Sequence, residues 1–484
     1  MKALVSALGN EIQSLFPEDS AFVADDLYTR RVYSKDLMPR VHLEAREGDL
    51  QEPSIDAVVW PADSEKLAKF VRAANEKGWE LYPYGAGSGV CGGATPGRDQ
   101  ERHRPRISVD LKRLDKIELL DEKSQIAKVQ GGIIGQVLEE DLNQRGFTLG
   151  HFPSSIYCSS FGGYLATRAA GQLSTYYGKI EDMVLAVEGV LPTGEFFTTP
   201  VAPRLAVGPD WNHLFLGSEG SLAFLTSAWV KVHKLAENRR FLSFVVSSTE
   251  KALEGVRQWM QEGLRPAVTR IYDEDESRML MGIKDGVKLV CIIEGEQTLT
   301  DFTALRINQL TMKWPDWKDT GEEPAQHWWA HRYDISYNQQ LILSHRRMIL
   351  DTFEVSTSWA GLPSLHKHVK LATEAVAKRF PGKGEMLLVI AHFSHFYHCG
   401  GNIYFTLCGR SPEDTPTPEF YDGVWDELLK ACEAQGAAIS HHHGIGRLKA
   451  LAYRRQRGVL HDVLKSFKHE LDPKNILNPG NLGL

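Results

Sequence analysis

The sequence predicts a protein of the α/β or α+β class that contains more than one domain. Its 484 residues are too many for one simple core. Its composition, 42% apolar and 24% charged residues, is ordinary for a globular enzyme. From residue 55 onwards, patterns typical of strands and of helices alternate along the chain. This alternation favours a mixed fold over an all-α or all-β one.

The elements of the first region follow from local sequence signals. The start, MKALVSALGNEIQSLF, predicts an amphipathic helix. IDAVVW is a β-rich run that Pro61 closes, and Asp63 or Ser64 can cap the helix SEKLAKFVRAANEKG, which Gly78 ends. ELYPYG is the next predicted strand and leads into a glycine-rich loop. RISVDL and QIAKVQGG are further predicted strands, and GQVLEEDLNQRG has the period of a helix.

A second series of elements begins after Lys234. ENRRFLSFVVSSTEKALEGVRQWMQEG predicts a strand, an N-cap and a helix. VKLVCIIEG and MLLVIAHF are predicted strands, and LPSLHKHVKLATEAVAKRF is a predicted helix. The tail LDPKNILNPGNLGL is rich in Pro, Gly and Asn and predicts a loop. We therefore predict a first domain at 1–235, a second at 236–437, and a last segment, 438–484, that returns to the first domain.

Charge and cysteine content limit the partners and the compartment. The formal net charge is −7 and the basic residues form no long block, so attraction to nucleic acid is not implied. Six cysteines without a CxxC pair argue against a disulfide framework or a structural zinc module, and fit a reducing compartment. The start lacks the apolar core of a signal peptide, and no run approaches 18 apolar residues. We predict a cytoplasmic protein without a membrane span.

A glycine-rich loop predicts an anion-binding site. YPYGAGSGVCGG follows a predicted strand and contains five glycines. Glycine lets the backbone approach a ligand closely, and successive N–H groups can form a concave nest for phosphate. The loop lacks the Gly-Lys-Ser/Thr of a Walker loop, and no helix follows, so it does not match the dinucleotide fingerprint. Taken alone, the motif fits a mobile surface loop as well as a phosphate loop.

Two later stretches narrow the interpretation. Residues 150–195 are rich in Gly, Ser and Thr, which suits a long polar cofactor, and residues 209–226 contain the sequence GSEG. In this order and spacing, and with LDPKNILNPGNL near the C-terminus, the stretches resemble the vanillyl-alcohol-oxidase type flavoproteins. More narrowly, they resemble the group that holds D-lactate and D-2-hydroxyglutarate dehydrogenases and alkylglycerone-phosphate synthases. The resemblance implies an α+β fold, with a two-part FAD-binding domain and an α+β substrate (cap) domain.

This resemblance implies FAD as the cofactor. The first glycine loop would cradle its pyrophosphate, and the second stretch would line it. Because the first loop has no histidine to carry the flavin, we expect non-covalent FAD, with a cysteinyl linkage through Cys91 as the alternative. The cofactor-binding residues implied in this way are Pro83, Gly85, Ala86, Gly87, Ser88, Gly89, Pro153, Ser154, Ser159, Gly162, Gly163, Thr167 and Glu219.

The strand NIYFTL carries a candidate catalytic tyrosine. The alternation of its residues puts Tyr404 on the polar face of the strand, where its side chain can reach a binding site. The more common alternative is a half-buried tyrosine with a structural role. The related dehydrogenases bind a metal here through two histidines and a glutamate. In this sequence His395 matches the first ligand, but Tyr404 and His442 stand where the others belong. Because zinc normally needs three protein ligands, we expect no metal site.

The same departures resemble the alkylglycerone-phosphate synthases. These enzymes carry a His-His-His-Gly turn followed by basic residues, as HHHGIGRLK does here. They also carry an element like HFYHCGGNIYF and an arginine in a context like PAVTRIYDE. This resemblance implies that Arg270 and Arg447 bind the substrate. The catalytic residues that it implies are Tyr404, His395, His441, His442 and His443.

The synthase resemblance implies exchange of the acyl group of acyl-dihydroxyacetone phosphate for an alkyl group through a flavin N5 adduct. Tyr404 would take the C1 proton, and protonated histidines would lower its pKa from the usual value of about 10. Arg270 would bind phosphate through two hydrogen bonds.

The alternative is an FAD-dependent D-2-hydroxy acid dehydrogenase of the D-lactate or 2-hydroxyglutarate type, in which Tyr404 or His443 takes the hydroxyl proton and a hydride goes to flavin N5. Another FAD oxidoreductase acting on hydroxy compounds, and a flavin-binding protein without turnover, also stay open.

The expected partners follow from this interpretation. We expect a small anionic substrate, with lipids as one candidate class, and no nucleic acid. Contact with a membrane would be peripheral, and the expected assembly is a homodimer.

Overall fold

The computed structural model describes residues 2–48, 52–97, 103–334, 345–382 and 386–484. Two short 3₁₀ turns lie at Ile156–Cys158 and Asn481–Gly483. The helices, in chain order, are α1 (Lys2–Leu15), α2 (Leu27–Tyr33), α3 (Pro39–Arg46), α4 (Ser64–Lys77), α5 (Gly135–Gln144), α6 (Phe161–Thr167), α7 (Ser174–Tyr177), α8 (Ile180–Met183), α9 (Trp211–Phe215), α10 (Thr249–Gln261), α11 (Glu274–Met281), α12 (Gln297–Thr311), α13 (Glu323–His331), α14 (Leu362–Arg379), α15 (Thr417–Ala434), α16 (Ala450–Arg457) and α17 (Val459–Leu471).

The strands are named in the same way. They are β1 (Val23–Ala24), β2 (Ala57–Val59), β3 (Glu80–Tyr84), β4 (Arg106–Asp110), β5 (Ile117–Asp121), β6 (Ile126–Gln130), β7 (Phe147–Thr148), β8 (Val184–Val190), β9 (Phe196–Thr198), β10 (Phe224–Lys231), β11 (His233–Lys234), β12 (Asn238–Val246), β13 (Val268–Tyr272), β14 (Val287–Gly295), β15 (Trp317–Asp319), β16 (Met348–Ser358), β17 (Met386–Tyr397) and β18 (Gly400–Arg410).

The described strands form four sheets. The first has the order β1–β2–β4–β3, in which β2, β4 and β3 are parallel and β1 is an antiparallel edge. The second, β5–β6–β10–β8–β9, is antiparallel, and β7 and β11 form a short ribbon. The fourth has seven strands in the order β15–β12–β14–β13–β17–β18–β16, and all its pairs are antiparallel. Because parallel pairing is confined to one small sheet, the fold is α+β.

Local signals account for the early elements. The N-terminal helix is confirmed as α1. Helix α4 is capped by Asp63, which accepts the N–H of Lys66 at 2.7 Å, and it ends at Gly78 with a φ of +72°. A positive φ costs glycine nothing, so the chain can turn sharply there into β3 and the glycine loop that follows it. Among the described residues no helix combines the length and the apolar character that crossing a bilayer requires.

The alternation in β18 positions its side chains as predicted. Ile403, Phe405 and Leu407 are fully buried in the main hydrophobic cluster. Tyr404 and Thr406, on the opposite face, line a cavity. Strand β18 lies between β16 and β17 with eleven and ten paired positions, so its tyrosine is held by pairing on both sides.

The C-terminal tail packs against the first sheet. The N–H of Leu81 donates to Ile476 O at 2.7 Å, and the N–H of Asn478 donates to Leu81 O at 2.8 Å. Ile476 and Leu477 are buried in the cluster that covers this sheet. Helices α16 and α17, which precede the tail, were not predicted. The domain limits at residues 235 and 437 stay a prediction, because one hydrophobic cluster joins residues of the five-stranded and seven-stranded sheets.

Candidate active site

A cavity of about 2050 Å³ lies between the glycine-rich segments and the seven-stranded sheet. Sites for a single small ligand usually measure roughly 300–1,000 Å³, so this cavity has room for a long cofactor and a substrate together. One wall consists of the first loop, 83–94, and the segment 153–172. The other wall consists of strands β13, β16, β17 and β18.

The predicted cofactor-binding residues converge on the first wall. They come from three separate parts of the chain, and all of them line the cavity. Their contact with the cofactor stays a prediction. These residues are Pro83, Gly85, Ala86, Gly87, Ser88, Gly89, Pro153, Ser154, Ser159, Gly162, Gly163, Thr167 and Glu219.

The first loop packs closely against the start of α6. A Cβ at Gly85 would lie 2.3 Å from Ser160 Oγ, so no side chain fits there. Gly87 has a φ of +68°, which L side chains rarely adopt. Ser160 is itself fixed, because it caps α6 by accepting the N–H of Gly163 at 3.3 Å. The loop thus turns bare backbone towards the cavity, as a phosphate-bearing cofactor requires.

Glu219 has a structural role that its glycine context did not predict. Its buried carboxylate accepts the N–H groups of Ile445 at 2.6 Å and Gly446 at 2.9 Å. Burial raises the pKa of Glu219 to about 7, although these two hydrogen bonds oppose the rise. Its carbonyl oxygen accepts from the side chains of Asn478 and Asn481. Glu219 therefore joins the third glycine loop to the histidine loop (residues 440–446) and to the C-terminal tail.

A row of side chains crosses the second wall. Paired positions on β13, β17, β18 and β16 are occupied by Tyr272, His392, Tyr404 and Glu354. The ring of His392 stacks on Tyr404 with 4.7 Å between ring centres. Its Nε2 lies 2.5 Å from Arg270 Nη2, so His392 fixes both neighbours. The sequence analysis missed His392, although period-two alternation along MLLVIAHF would have placed it on the face of Ser394.

Arg270 lines the cavity, and one of its donors has no hydrogen-bond partner among the described residues. Its Nε is buried and, among the described residues, has no hydrogen-bond partner. Its guanidinium carbon lies 5.5 Å from the ring centres of both Tyr272 and Trp328, which hold its plane in place. Nη2 is bonded to His392, and the contact of this arginine with a substrate anion stays a prediction.

Three imidazoles lie together behind Tyr404. Two belong to His441 and His442 of the histidine loop, and the third belongs to His395 of β17. His441 Nε2 bonds Tyr397 Oη at 2.7 Å, and His441 Nδ1 bonds His442 Nδ1 at 2.9 Å. His395, at a φ of +50°, bonds Ser174 Oγ through Nδ1 at 2.5 Å. One nitrogen of each of His395, His441 and His442 lies within 4.8 Å of the others, a spacing at which a metal ion could be held. The absence of a metal site thus stays a prediction.

The protonation states differ from the expectation. Burial lowers the pKa of His441 to about 3, and it lowers the pKa of His395 and His442 well below the usual value. Burial also raises the pKa of Tyr404 to about 12, although its hydrogen bond to Thr352 Oγ1, at 2.8 Å, opposes the rise. Protonated His395, His441 or His442 is therefore not the group that lowers the pKa of this tyrosine, because these imidazoles are too buried to carry the charge.

Two other predicted residues lie outside the cavity lining. The guanidinium of Arg447 donates to Thr95 O and Pro479 O, both at 2.6 Å, which ties the first loop to the tail. Its predicted contact with substrate therefore needs correction, since its donors serve these backbone oxygens. His441 is buried behind His442 and touches Tyr397 instead of the cavity.

The sequence analysis missed Glu354, which accepts hydrogen bonds from residues 440–443 of the histidine loop. Its carboxylate accepts the N–H groups of His441, His442 and His443. It also pairs with Lys449 Nζ at 3.1 Å, and both side chains are fully buried. The available signal was the two acidic residues, Asp351 and Glu354, within the strand MILDTFEVS, where an unpaired carboxylate would be costly.

Apolar side chains form part of the cavity lining. They include Leu350, Leu388 and Ile390 from the seven-stranded sheet. Met279 and Leu280 at the end of α11 complete it, and they are 53% and 60% exposed. An apolar chain could therefore enter beside α11 and reach the row that contains Tyr404.

The chain matches two family models in succession. Residues 55–200 match the FAD binding domain, and residues 235–482 match the C-terminal domain of FAD linked oxidases. Together they span both walls of the cavity. The glycine cradle at Gly85 fits the cofactor that these models name, since backbone close to a phosphate-bearing ligand is what FAD needs.

Relatives of known name cover most of the chain. Alkyldihydroxyacetonephosphate synthase of Caenorhabditis elegans is 30% identical over 91% of this chain and 78% of its own length. The enzyme of the same name from Dictyostelium discoideum is 28% identical over 98% of this chain and 80% of its own. A solved alkyldihydroxyacetonephosphate synthase superposes with a TM-score of 0.79 at 27% identity, covering 96% of this chain and 84% of that one. The chain therefore belongs to the FAD-linked oxidase family of flavoproteins and is an FAD-dependent enzyme.

Proposed function

We propose that the enzyme makes alkyl-dihydroxyacetone phosphate by exchanging the acyl group of acyl-dihydroxyacetone phosphate for an alkyl group. The relatives bear the name of this product. The observation that carries the proposal is the guanidinium-bearing Arg270, which lines one cavity together with Tyr404 and an apolar arm. A substrate with a phosphate, a reactive carbon and a fatty chain matches these three features in turn.

Arg270 binds the phosphate end in this proposal. Its Nε has no partner among the described residues, while Nη2 is bonded to His392. A phosphate oxygen can accept from the guanidinium, whose planar fork suits this anion better than a point charge does. His392 keeps the arginine from turning away, because its own ring is stacked on Tyr404.

The apolar arm takes the acyl or alkyl chain. Each methylene that moves from water into such a lining is stabilised by about 0.8 kcal/mol. The lining residues Leu350, Leu388 and Ile390 offer no charged group to a chain in this part of the cavity. Met279 and Leu280, exposed at the end of α11, are the first apolar contacts for a chain that arrives from outside.

FAD, when bound, supplies the electrophilic centre that activates the substrate carbon. Tyr404 Oη is our proposed acceptor for the proton on C1. In the resting site it is a neutral phenol, since burial raises its pKa to about 12. It must therefore pass on its own proton before it acts as a base. The imidazole of His443, whose ring centre lies 5.7 Å from that of Tyr404, is the proposed acceptor on the same wall.

One observation favours a second function. His443 Nδ1 lies 3.0 Å from Glu354 Oε2, so an imidazole oriented by a carboxylate faces the cavity. A pair of this kind suits removal of a hydroxyl proton. An FAD-dependent D-2-hydroxy acid dehydrogenase would use it, with Arg270 on the substrate carboxylate.

The deciding experiment mixes the oxidised enzyme anaerobically with each substrate class. With acyl-dihydroxyacetone phosphate and a fatty alcohol, we expect release of a fatty acid and formation of the ether product, without lasting flavin reduction. With D-lactate or D-2-hydroxyglutarate, we expect the flavin band to persist. Rapid bleaching by a hydroxy acid, with no ether product from the other mixture, would refute the synthase proposal in favour of the dehydrogenase.

We also propose that FAD is held without a covalent bond. Cys91 is the nucleophilic side chain of the first loop, and burial raises the pKa of its thiol well above the usual value. A thiol of this kind is a poor nucleophile, since the thiolate is the reactive form. Acid precipitation should release all the yellow colour into the supernatant. Colour that stays in the pellet would contradict this proposal.

An anionic bilayer is the macromolecular partner that we propose. Two consecutive helices, α16 and α17, carry exposed basic residues, namely Arg454, Arg457 and Lys465. A surface of this composition suits a membrane interface with negative headgroups. The same helices carry four exposed apolar side chains, which are Leu451 (74%), Val459 (72%), Leu460 (62%) and Val463 (59%).

Sedimentation with vesicles tests this surface. We expect binding to vesicles that contain phosphatidylglycerol, little binding to neutral phosphatidylcholine, and release by salt. The double variant Leu460→Ser/Val463→Ser should lose binding. The control Leu299→Ser/Phe302→Ser changes equally exposed apolar positions on α12 and should keep it. Equal binding by the two variants would contradict the assignment. We also propose that the protein is a homodimer. Size-exclusion chromatography with light scattering, which gives the mass of the eluted protein, tests this separately.

A further inference from the structure

Glu354 is the most heavily bonded carboxylate near the histidine loop. Its Oε1 accepts the backbone N–H groups of His441 at 3.1 Å, His442 at 3.1 Å and His443 at 2.8 Å. The same oxygen accepts from Ser440 Oγ at 2.5 Å. A carboxylate that accepts from three consecutive amides fixes the backbone of those residues, and through it the directions in which their side chains leave.

The second oxygen of Glu354 faces two cationic or polar groups. Oε2 lies 3.1 Å from Lys449 Nζ and 3.0 Å from His443 Nδ1. The contact with Lys449 is a hydrogen bond, and the contact with His443 brings the imidazole nitrogen close to the same carboxylate oxygen. Lys449 and Glu354 are both fully buried, and each is the charge that makes burial of the other tolerable.

We propose that Glu354 is the positioning residue of the active site, holding His442 and His443 against Tyr404 while Lys449 balances its charge. The proposal deepens the proposed function and rests on it only for the turnover measurement. Glu354 touches neither substrate nor cofactor in this scheme. It acts through the two histidines whose rings face the tyrosine.

Other bonds hold the loop to the protein, so Glu354 is not needed merely to keep the loop attached. Glu219 binds the N–H groups of Ile445 and Gly446 at the far end of the loop. Lys179 Nζ donates to His441 O at 2.6 Å from another element. Loss of the Glu354 charge should therefore loosen the histidines within a loop that stays docked.

The variant Glu354→Gln tests the proposal, but it leaves the Lys449 ammonium buried without its counter-charge, which costs several kcal/mol. The double variant Glu354→Gln/Lys449→Met removes both charges and keeps the fold testable. The matched control is Glu294→Gln. Glu294 is another buried carboxylate of the same sheet, bound to Tyr177 and Arg239 and away from the loop.

Three readouts separate positioning from mere folding. Hydrogen exchange of the amides of residues 441–443 should quicken about tenfold in the double variant, as expected for a weakened bond to a charged acceptor. Flavin content should match the wild type. The kcat should fall about 100-fold with little change in KM, since misplaced catalytic groups affect the chemical step. The control Glu294→Gln should leave all three readouts as in the wild type.

The outcomes bear on separate claims. Unchanged exchange at 441–443 in the double variant would overturn the proposal, and this readout needs no substrate. Faster exchange with normal kcat would overturn it as well, because the histidines would then act without fixed positions. Wild-type enzyme that turns over only hydroxy acids would refute the proposed function, while the same comparison of kcat, run with the hydroxy acid, would still decide the role of Glu354.

Discussion

The two walls of the cavity are built on different principles. The wall formed by the first loop and the segment 153–172 presents small residues and backbone, and its shape depends on where side chains are absent, as at Gly85 and Gly87. The opposite wall presents buried titratable side chains, such as Tyr404 and His442, whose pKa values burial shifts strongly. One wall is suited to hold a polar cofactor, and the other to act on a substrate.

The difference predicts different responses to substitution. On the cofactor wall we expect a single methyl group added at Gly85 to disturb binding, because Ser160 Oγ occupies the space that it needs. On the substrate wall the removal of a single polar atom disturbs the chemistry, while the packing survives. Each prediction below changes one wall and asks whether the other is affected.

The largest effect is expected from Tyr404→Phe. This change removes the hydroxyl that donates to Thr352 and leaves the ring stacked on His392. If the hydroxyl carries the proton, kcat should fall by about two to four orders of magnitude, and bound FAD should stay at the wild-type level. Stopped-flow turnover together with flavin absorbance measures both. Tyr177→Phe, which removes a buried hydroxyl bonded to Glu294, is the control and should turn over normally. A Tyr404→Phe enzyme of near-normal rate would end the assignment and favour His443.

The next effect is expected from Gly85→Ala, on the other wall. Its Cβ would lie 2.3 Å from Ser160 Oγ, so that hydroxyl must turn away from its capping position on α6, or the loop must move. Overpacking of this kind costs about 1–3 kcal/mol, which corresponds to FAD binding weakened by roughly 10- to 100-fold. Titration of the apoprotein with FAD, followed by flavin fluorescence, gives the affinity. Gly208→Ala, where a Cβ meets nothing within 4 Å, should bind FAD as the wild type does. Equal affinity in the Gly85 and Gly208 variants would show that the loop has more room than its geometry indicates.

A smaller effect is expected from Arg270→Lys. Lysine keeps the charge but loses the planar fork, which bonds His392 through Nη2 and in this proposal also binds the substrate anion. Loss of one hydrogen bond to a charged group should raise KM about tenfold, with the melting temperature and FAD content unchanged. Arg239→Lys, at an arginine paired with Glu294 outside the cavity, is the control. If the two variants share the wild-type KM, Arg270 serves the structure and not the substrate.

The sequence predicted the cofactor wall well because that wall is local. Each glycine motif follows a strand or opens a short helix, so its role can be inferred from a dozen neighbouring residues. The caps of α4 and the alternation in β18 were predicted for the same reason. None of these inferences needed to know which strands pair.

The substrate wall depends on pairings that local patterns do not contain. His392 and Glu354 meet Tyr404 only because β17 and β16 flank β18 in a defined register. Arg447 follows the histidine loop in sequence, yet it turns towards Thr95 and the tail. Burial, which the sequence does not give, also lowers the pKa of His441 and His442, so the charge expected on these two imidazoles could not be judged from local patterns.

The smallest effect on turnover is expected from the removal of divalent metals. This experiment tests whether the histidines of the substrate wall act as bases or as metal ligands. His395, His441 and His442 come within 4.8 Å of one another, as a metal site would require. However, the two Nδ1 atoms of His441 and His442 are 2.9 Å apart, the distance of a hydrogen bond. Two nitrogens on a tetrahedral zinc, each about 2.0–2.1 Å from the ion, would be about 3.3–3.4 Å apart. The triad also lacks a carboxylate, and Lys179 lies close by to oppose a dication. Dialysis against EDTA should therefore leave turnover within about twofold of its starting value, and mass spectrometry should find less than stoichiometric zinc in the active enzyme. Activity that disappears on chelation and returns with zinc or manganese would contradict this and make the three histidines a metal centre, with Tyr404 beside it.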